Sequence, residues 1–318
     1  MRLLVAQICA LNEREHIGDV IRSIPREIPG IQEVRVLVID DGSRDDTGDV
    51  ARAAGADRVV RHVNRRGLAR AFQTGLDTAL EWGADVIVNI DADGQYRGED
   101  IPALVADIVA GRAEIVIGDR QVRALTHFSP AKRSFQLLGS RVVRLASGLR
   151  VSDAVSGFRA YSQEAALRLY VAPLFSYTIQ TLVQAGKLNL AVTSVPITAR
   201  ETPRPSRLQR NMFDFMIQQA IVLGRTYVAY EPMKTFLGLA LPFLLAGAVL
   251  IGRVIVLGLA RNGQFANVPS LVAGSIGLVI GLLLGTTALI ADRIRENRRL
   301  LEEILYRQRR AQVPHRTP

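Results

Sequence analysis

Residues 85–95 read DVIVNIDADGQ: a mostly apolar run, then Asp91, Ala92, Asp93, Gly94 and Gln95. A short apolar run of this length fits a buried strand, and the acidic turn sits at its end. The pattern occurs earlier too, where VRVLVI at 34–39 runs into DDGSRDDT at 40–47. A third apolar run, Leu3–Ile8, leads to Asn12 and Glu13. Helical patterns separate these runs. Ile17, Val20, Ile21 and Ile24 fall at i, i+3, i+4, i+7, which predicts a helix over 13–24 with Asn12 as its N-cap. The same reading expects helices at 47–54, 68–82 and 101–110, and further short strands at 58–62 and 114–117.

Strands alternating with helices predict an α/β domain with a mostly parallel sheet. Such sheets bind ligands outside the carboxyl ends of their strands, where all three acidic motifs fall. Two carboxylates two residues apart can turn toward one hard cation, Mg²⁺ or Mn²⁺, shared with substrate phosphates. Asp40 and Asp41 could hydrogen-bond a base and ribose. A solvated turn explains any one of these motifs; three at one rim point to a site.

The 318 residues carry a formal charge of +10, and arginine supplies nearly all the positive charge. A basic balance suits nucleic acid, anionic lipid or phosphorylated substrates. Aromatic and basic residues are not interleaved, which argues against nucleic acid. The one cysteine excludes a disulfide framework and a cysteine zinc site. The four histidines have no metal-ligand spacing.

The C-terminal third has a different character. Residues 235–252 are free of charge, Arg253 interrupts, and the apolar run resumes to Ala260. Residues 265–291 again carry no charge, and as a helix they would reach roughly 40 Å, beyond the ~30 Å of a hydrocarbon core. Arg253 stands late in its segment, where its side chain can snorkel to the interface. The expected arrangement is therefore a transmembrane hairpin of about 235–260 and 265–291. Arginines crowd the stretch 200–234 before it and the tail 292–318 after it, which places both on the cytoplasmic side. The N-terminus becomes charged too soon for a signal peptide. The expected organisation is a cytoplasmic catalytic domain at 1–210, an amphipathic juxtamembrane helix at 211–234, the hairpin at 235–291 and a basic cytoplasmic tail at 292–318. The basic, amphipathic stretch 129–149 is a second candidate for lying in the membrane interface.

Taken in order, the motifs resemble those of family 2 glycosyltransferases of the GT-A fold, and within them the polyprenyl- or dolichyl-phosphate sugar synthases. ICALNE matches the turn after the first strand, DDGSRDDT the second motif, and Gly67, Ala71 and Gly75 a glycine-patterned helix start. Asp91, Asp93 and Gln95 match D-x-D-x-Q, Gly118 to Arg120 match G-x-R, and Ser156 to Arg159 spell SGFR. Arg204 to Arg207 stand at a basic loop, and a two-helix membrane hairpin follows as in one subfamily. Cys9 replaces a usual proline, Leu11 a common tyrosine, and the basic loop lacks its glycine. The Q-x-x-R-W motif of processive synthases is absent.

The resemblance implies a GT-A, Rossmann-like nucleotide-sugar-binding domain followed by the hairpin. It implies an inverting transferase that moves one hexose from a nucleotide sugar, of UDP-glucose or GDP-mannose type, to the phosphate of a polyprenyl or dolichyl phosphate. Other glycosyltransferase acceptors, or a non-catalytic membrane scaffold, are the alternatives. Cys9, Leu11, Glu13, Ile39, Asp41, Asp91, Ala92, Asp93, Gln95, Arg204 and Arg207 would contact the nucleotide sugar. Asp91, Asp93 and Gln95 would hold Mg²⁺ or Mn²⁺. Arg120 with Lys132 or Arg133 would receive the lipid phosphate. Asp91 and Asp93 would be catalytic, and so would Asp153, the one carboxylate near SGFR, by orienting the acceptor or a sugar hydroxyl. The implied setting is the plasma membrane of a prokaryote, among membrane lipids. Oligomeric state stays open, a homo-oligomer included.

Overall fold

The structure, a computed structural model, describes residues 2–121, 141–172, 177–200, 212–260 and 267–314. It divides into two units, one of residues 1–224 with 302–318 and one of residues 225–301.

The first unit is built on a seven-stranded sheet. Strands β1 (Leu3–Ala10), β2 (Glu33–Asp40), β3 (Arg58–Arg61) and β4 (Val86–Asp91) alternate with helices α1 (Ile17–Ser23), α2 (Thr47–Ala53) and α3 (Leu68–Glu81). Helix α4 (Ile101–Val109) and β5 (Ile115–Asp119) follow, then β6 (Arg159–Ser162), α5 (Gln163–Arg168), α6 (Tyr177–Lys187) and β7 (Val192–Pro196). The strand order is β3-β2-β1-β4-β6-β5-β7.

Alternating side chains divide between the two faces of the sheet. Leu4, Ala6 and Ile8 of β1 join Val86, Val88 and Ile90 of β4 in one core with Ile17, Val20 and Ile21 of α1 and Leu104 and Val105 of α4. On the other face α3 packs against β1 and β2, burying Phe72 and Leu76 fully.

β1 pairs in parallel with both β2 and β4, so Cys9 stands beside Ile39 on one side and Asp91 on the other. The expected parallel strands therefore form. The sheet is mixed, however, because β6 inserts antiparallel between β4 and β5. Four residues, RAYS, carry too little periodicity to announce such a strand.

The first helix is shorter than expected. It starts at Ile17, with His16 rather than Asn12 at its N-cap. Residues 13–16 form a tight turn in which the Glu13 carbonyl accepts from the His16 and Ile17 amides. Asn12 adopts φ 54° and accepts the Arg44 amide at 2.7 Å, so its side chain is spent across the loop rather than along a helix.

The C-terminal segment is helical: α7 (Met212–Tyr230), α8 (Pro232–Ala260) and α9 (Val268–Gln312). Within the second unit, α8 and α9 approach closely through small residues. A Cβ on Gly247 would lie 2.8 Å from the Gly274 carbonyl oxygen, a distance only glycine permits. Much of their apolar surface faces outward: Leu241, Leu245 and Val249 are 55%, 58% and 68% exposed. Both helices are long and apolar enough to cross a membrane.

Helix α9 continues through the arginine-rich tail, and its last turns belong to the first unit. Tyr306 is 9% exposed and donates to Glu164 of α5 at 3.1 Å. The Arg168 guanidinium lies 4.4 Å from its ring centre. Arg309 donates to the Leu169 carbonyl at 2.8 Å and to Asp77 of α3 at 2.6 Å.

Candidate active site

The strand order reverses direction around β1 and β4, which opens a crevice at their carboxyl ends. The loops after β1 and β2 and the turn after β4 all leave the sheet at this end, because the three strands run parallel.

The first two loops are sewn together. The Asn12 amide donates to Ser43 Oγ and the Glu13 amide to Thr47 Oγ1, each at 2.9 Å. Asp40 is fully buried and its Oδ1 accepts the Ser43 amide at 2.8 Å. The first aspartate of DDGSRDDT thus ties its own loop together, with its Oδ2 lying 3.5 Å from Arg61 Nε. Asp41 accepts the Arg66 and Gly67 amides, both at 2.8 Å, and His62 Nδ1 at 2.8 Å. An ionised carboxylate only accepts, so Nδ1 carries the hydrogen and Nε2 faces Thr74 Oγ1 at 3.1 Å. Three donors leave Asp41 room for a further hydrogen bond. Ile39 is fully buried in β2, while Leu11 and Glu13 are half-buried at the crevice.

The turn after β4 gathers the acidic pair. Asp93 Oδ1 accepts the Gln95 amide at 3.0 Å, closing the turn, and Ala92 is buried beneath it. Loss of solvation, followed by the charge of Asp93, pushes the Asp91 carboxyl up to about 7. Two carboxylates that repel each other in a poorly solvated crevice, with a neighbouring amide, are a hard-oxygen donor set short of positive charge. They fit a divalent cation. Among the described residues no three His, Cys, Asp or Glu side chains converge on one point. A cation here would therefore draw the rest of its coordination from phosphate and water, as Mg²⁺ commonly does. Cys9 is half-buried, and burial with the charges of Asp91 and Asp41 raises its thiol, which stays neutral.

Arg120 and Asp153 are brought together, with each other as partners. Arg120 donates to the two Asp153 oxygens at 2.6 and 2.9 Å, and the side chains are 7% and 2% exposed. Burial alone would raise Asp153, but the guanidinium and the amides around it more than offset this and hold the carboxyl below its ordinary value. Lys132, Arg133, Arg204 and Arg207 lie outside the described residues.

Apart from the SGFR motif, the buried groups around these strand ends carried no sequence signal. Arg159 of SGFR is fully buried and donates to the carbonyls of Ser156, Thr178 and Ala154, each at 2.8 Å, and to Thr181 Oγ1 at 2.9 Å. It fixes the loop's shape. His62, Thr74, Asn89, Tyr96 and Tyr177 come from five separate places in the chain. Only the SGFR motif hinted that its segment mattered.

Comparison with known proteins agrees with this geometry. The family model described as glycosyl transferase family 2 matches residues 6–169. An undecaprenyl-phosphate mannosyltransferase of Micrococcus luteus is 30% identical over 208 residues, covering 62% of this chain and 83% of that protein. A UDP-N-acetylglucosamine–dolichyl-phosphate N-acetylglucosaminyltransferase of Methanococcus voltae is 28% identical over 218 residues, covering 62% and 85%. Among solved structures, glucosyl-3-phosphoglycerate synthase of Mycobacterium tuberculosis with Mn²⁺, UDP-glucose and phosphoglyceric acid is 26% identical. It superposes with a TM-score of 0.56 over 71% of this chain and 80% of that one. The same enzyme is also solved with Mg²⁺ and UDP. The α/β sheet with its acidic crevice is thus of the GT-A kind. With a family match over more than half its length, the chain belongs to glycosyl transferase family 2 and is a glycosyltransferase.

Proposed function

We propose that this glycosyltransferase moves one hexose from a nucleotide sugar to the phosphate of a polyprenyl or dolichyl phosphate, with inversion at the anomeric carbon. The observation that carries the reading is the Asp91-Ala-Asp-Gly-Gln95 turn at the base of the crevice beside β1. The names of the two prenyl-phosphate relatives support the acceptor class. One of them is named for mannose and the other for N-acetylglucosamine; UDP-glucose and GDP-mannose remain our first donors to test.

Glu13, Leu11 and the free capacity of Asp41 would line the nucleoside pocket. Asp91, Asp93 and Gln95 would hold Mg²⁺ or Mn²⁺, which when bound neutralises charge on the departing nucleoside diphosphate. A phosphate monoester acceptor has a second pKa near ~6, so it is mostly dianionic at neutral pH and needs little help from a base. The acceptor oxygen attacks the anomeric carbon opposite the leaving group. By the resemblance Arg120 would stand on the acceptor side, its guanidinium held in place by Asp153.

Helices α8 and α9 would span the membrane, with the first unit on the cytoplasmic face by the arginine distribution. A prenyl acceptor leaves the bilayer at about 0.8 kcal/mol per exposed CH₂, so the site must come to the headgroup plane.

The test is a donor screen: membranes bearing the full chain, undecaprenyl phosphate, Mn²⁺ or Mg²⁺, and each radiolabelled nucleotide sugar in turn. Label entering the organic phase with one donor supports the reading and names the sugar. Label transferred only to a soluble phosphorylated acceptor such as phosphoglyceric acid, which the solved neighbour holds, would replace the acceptor assignment.

A further inference from the structure

The β4–β6 ladder pairs Asn89 with Arg159 in an antiparallel register. Two residues onward along one chain and two back along the other, that register sets Asp91 opposite Gly157. The consequence is unusual crowding. A Cβ built on Gly157 would lie 2.7 and 2.9 Å from the two carboxylate oxygens of Asp91 and 3.0 Å from Tyr177 Oη. The Asp91 carboxylate thus leans over the Gly157 backbone, in the space that any other residue's side chain would fill.

That backbone is fastened from both sides. The Gly157 amide donates to Tyr96 Oη at 3.2 Å. Its carbonyl accepts from Asn89 Nδ2 at 2.9 Å and from Tyr177 Oη at 3.2 Å. Asn89 is itself fixed, by Gln7 Nε2 at 3.0 Å and by its contact with Tyr177 Oη at 2.8 Å. The two tyrosines are 3% and 1% exposed, and their rings are seated on Phe158 and Phe72 at centroid distances of 5.2 and 4.0 Å. Both phenols have raised pKa values through burial, Tyr96 to about 12, so they stay protonated at any working pH. The result is a rigid polar floor, closed to solvent, directly under one member of the acidic pair.

We propose that Gly157 is a positioning residue for Asp91, and that Tyr96, Asn89 and Tyr177 hold it in place for that purpose. The absence of a side chain at 157 sets where the carboxylate lies, and the two phenols and the amide keep the glycine from drifting. The inference rests on the reading that Asp91 serves the cation and the donor diphosphate. Asn89 and Asp91 share one strand, so the floor and the ligand turn move as one body.

The test uses the full chain in detergent and measures Mn²⁺ binding by electron paramagnetic resonance, with UDP and with GDP as the nucleotide probe, beside thermal unfolding without metal. Gly157→Ala should weaken Mn²⁺–nucleotide binding by about tenfold or more while the metal-free melting temperature changes little. Tyr96→Phe adds no atom and keeps its ring packing; it should weaken binding by about threefold. It also decides the matter if Gly157→Ala does not fold. Asp91→Asn is the reference for the site itself. Loss of binding in Asp91→Asn with wild-type binding in Gly157→Ala and Tyr96→Phe overturns the inference and leaves the site reading intact. So does weakened binding that merely tracks a lowered melting temperature. Unchanged Mn²⁺ binding in Asp91→Asn overturns the site reading, and the inference with it.

Discussion

Arg120 grips Asp153 through two hydrogen bonds of 2.6 and 2.9 Å, with neither side chain more than 7% exposed. Each is thereby the other's counter-charge, and removing one strands the other in a poorly solvated pocket. Asp153→Asn should destabilise the α/β unit by about 3–5 kcal/mol. The double variant Arg120→Met, Asp153→Leu should cost less than either single change added to the other. Denaturant unfolding of the full chain checks both; additive losses would show that the pair is not coupled.

The same pair gives the protein an acid limit. Asp153 titrates below its ordinary value in the folded state, so its stabilisation is present above the unfolded value near ~3.9 and is lost as pH falls through the folded one. Stability should therefore drop steeply below about pH 4. In Asp153→Asn this part of the slope should vanish. Urea unfolding between pH 3 and 6 measures the difference.

Asp93 closes the turn after β4 and contributes charge to it. Asp93→Ala should lower metal-dependent kcat/KM about a hundredfold or more, the scale of losing a group that acts on transition-state charge. Full turnover in this variant would remove Asp93 from the site.

His62 ties Asp41 to Thr74 from a position 6% exposed. Changing it to alanine frees one donor from the carboxylate and loosens the turn at 62–67. KM for the nucleotide sugar should rise about three- to tenfold, with kcat affected less, since one hydrogen bond to a charged group is at stake. His62→Gln, which can still donate, should recover part of the loss. A pure fall in kcat would point away from the nucleoside pocket.

Arg309 anchors the end of α9 to Leu169 and Asp77. Arg309→Ala should lower stability of the full chain by about 1–3 kcal/mol. A consequence follows for truncation: a chain cut after Tyr230 loses the two long apolar helices and also residues 302–312, which belong to the first unit. It should melt earlier than the full chain. Equal melting temperatures would show that the docked tail contributes nothing.

How much of this was legible beforehand differs by element. Val34–Ile39 and Asp85–Ile90 announced their strands because a buried parallel strand needs a continuous apolar run. The long apolar runs within 235–260 and 268–291, broken by a single charge at Arg253, announced their helices by length. Asn12 misled: a residue that favours N-caps also favours left-handed turns, and it took the second role. Only the fold tied Asp40 to the Ser43 amide and Asp41 to His62 and the Arg66 and Gly67 amides.

Local pattern by itself determined the alternation of strands and helices, the acidic strand ends and the two apolar segments. Each is dictated within a few residues, by side-chain period and by the cost of burying charge. The tertiary structure alone decided which distant residues share a boundary. β6 enters antiparallel, and that register, not any local preference, lays Gly157 under Asp91 and brings Tyr96, Asn89 and Tyr177 around it. Pairing register is a relation between two strands 68 residues apart. Neither strand encodes it, because it emerges only when both are packed against the same core.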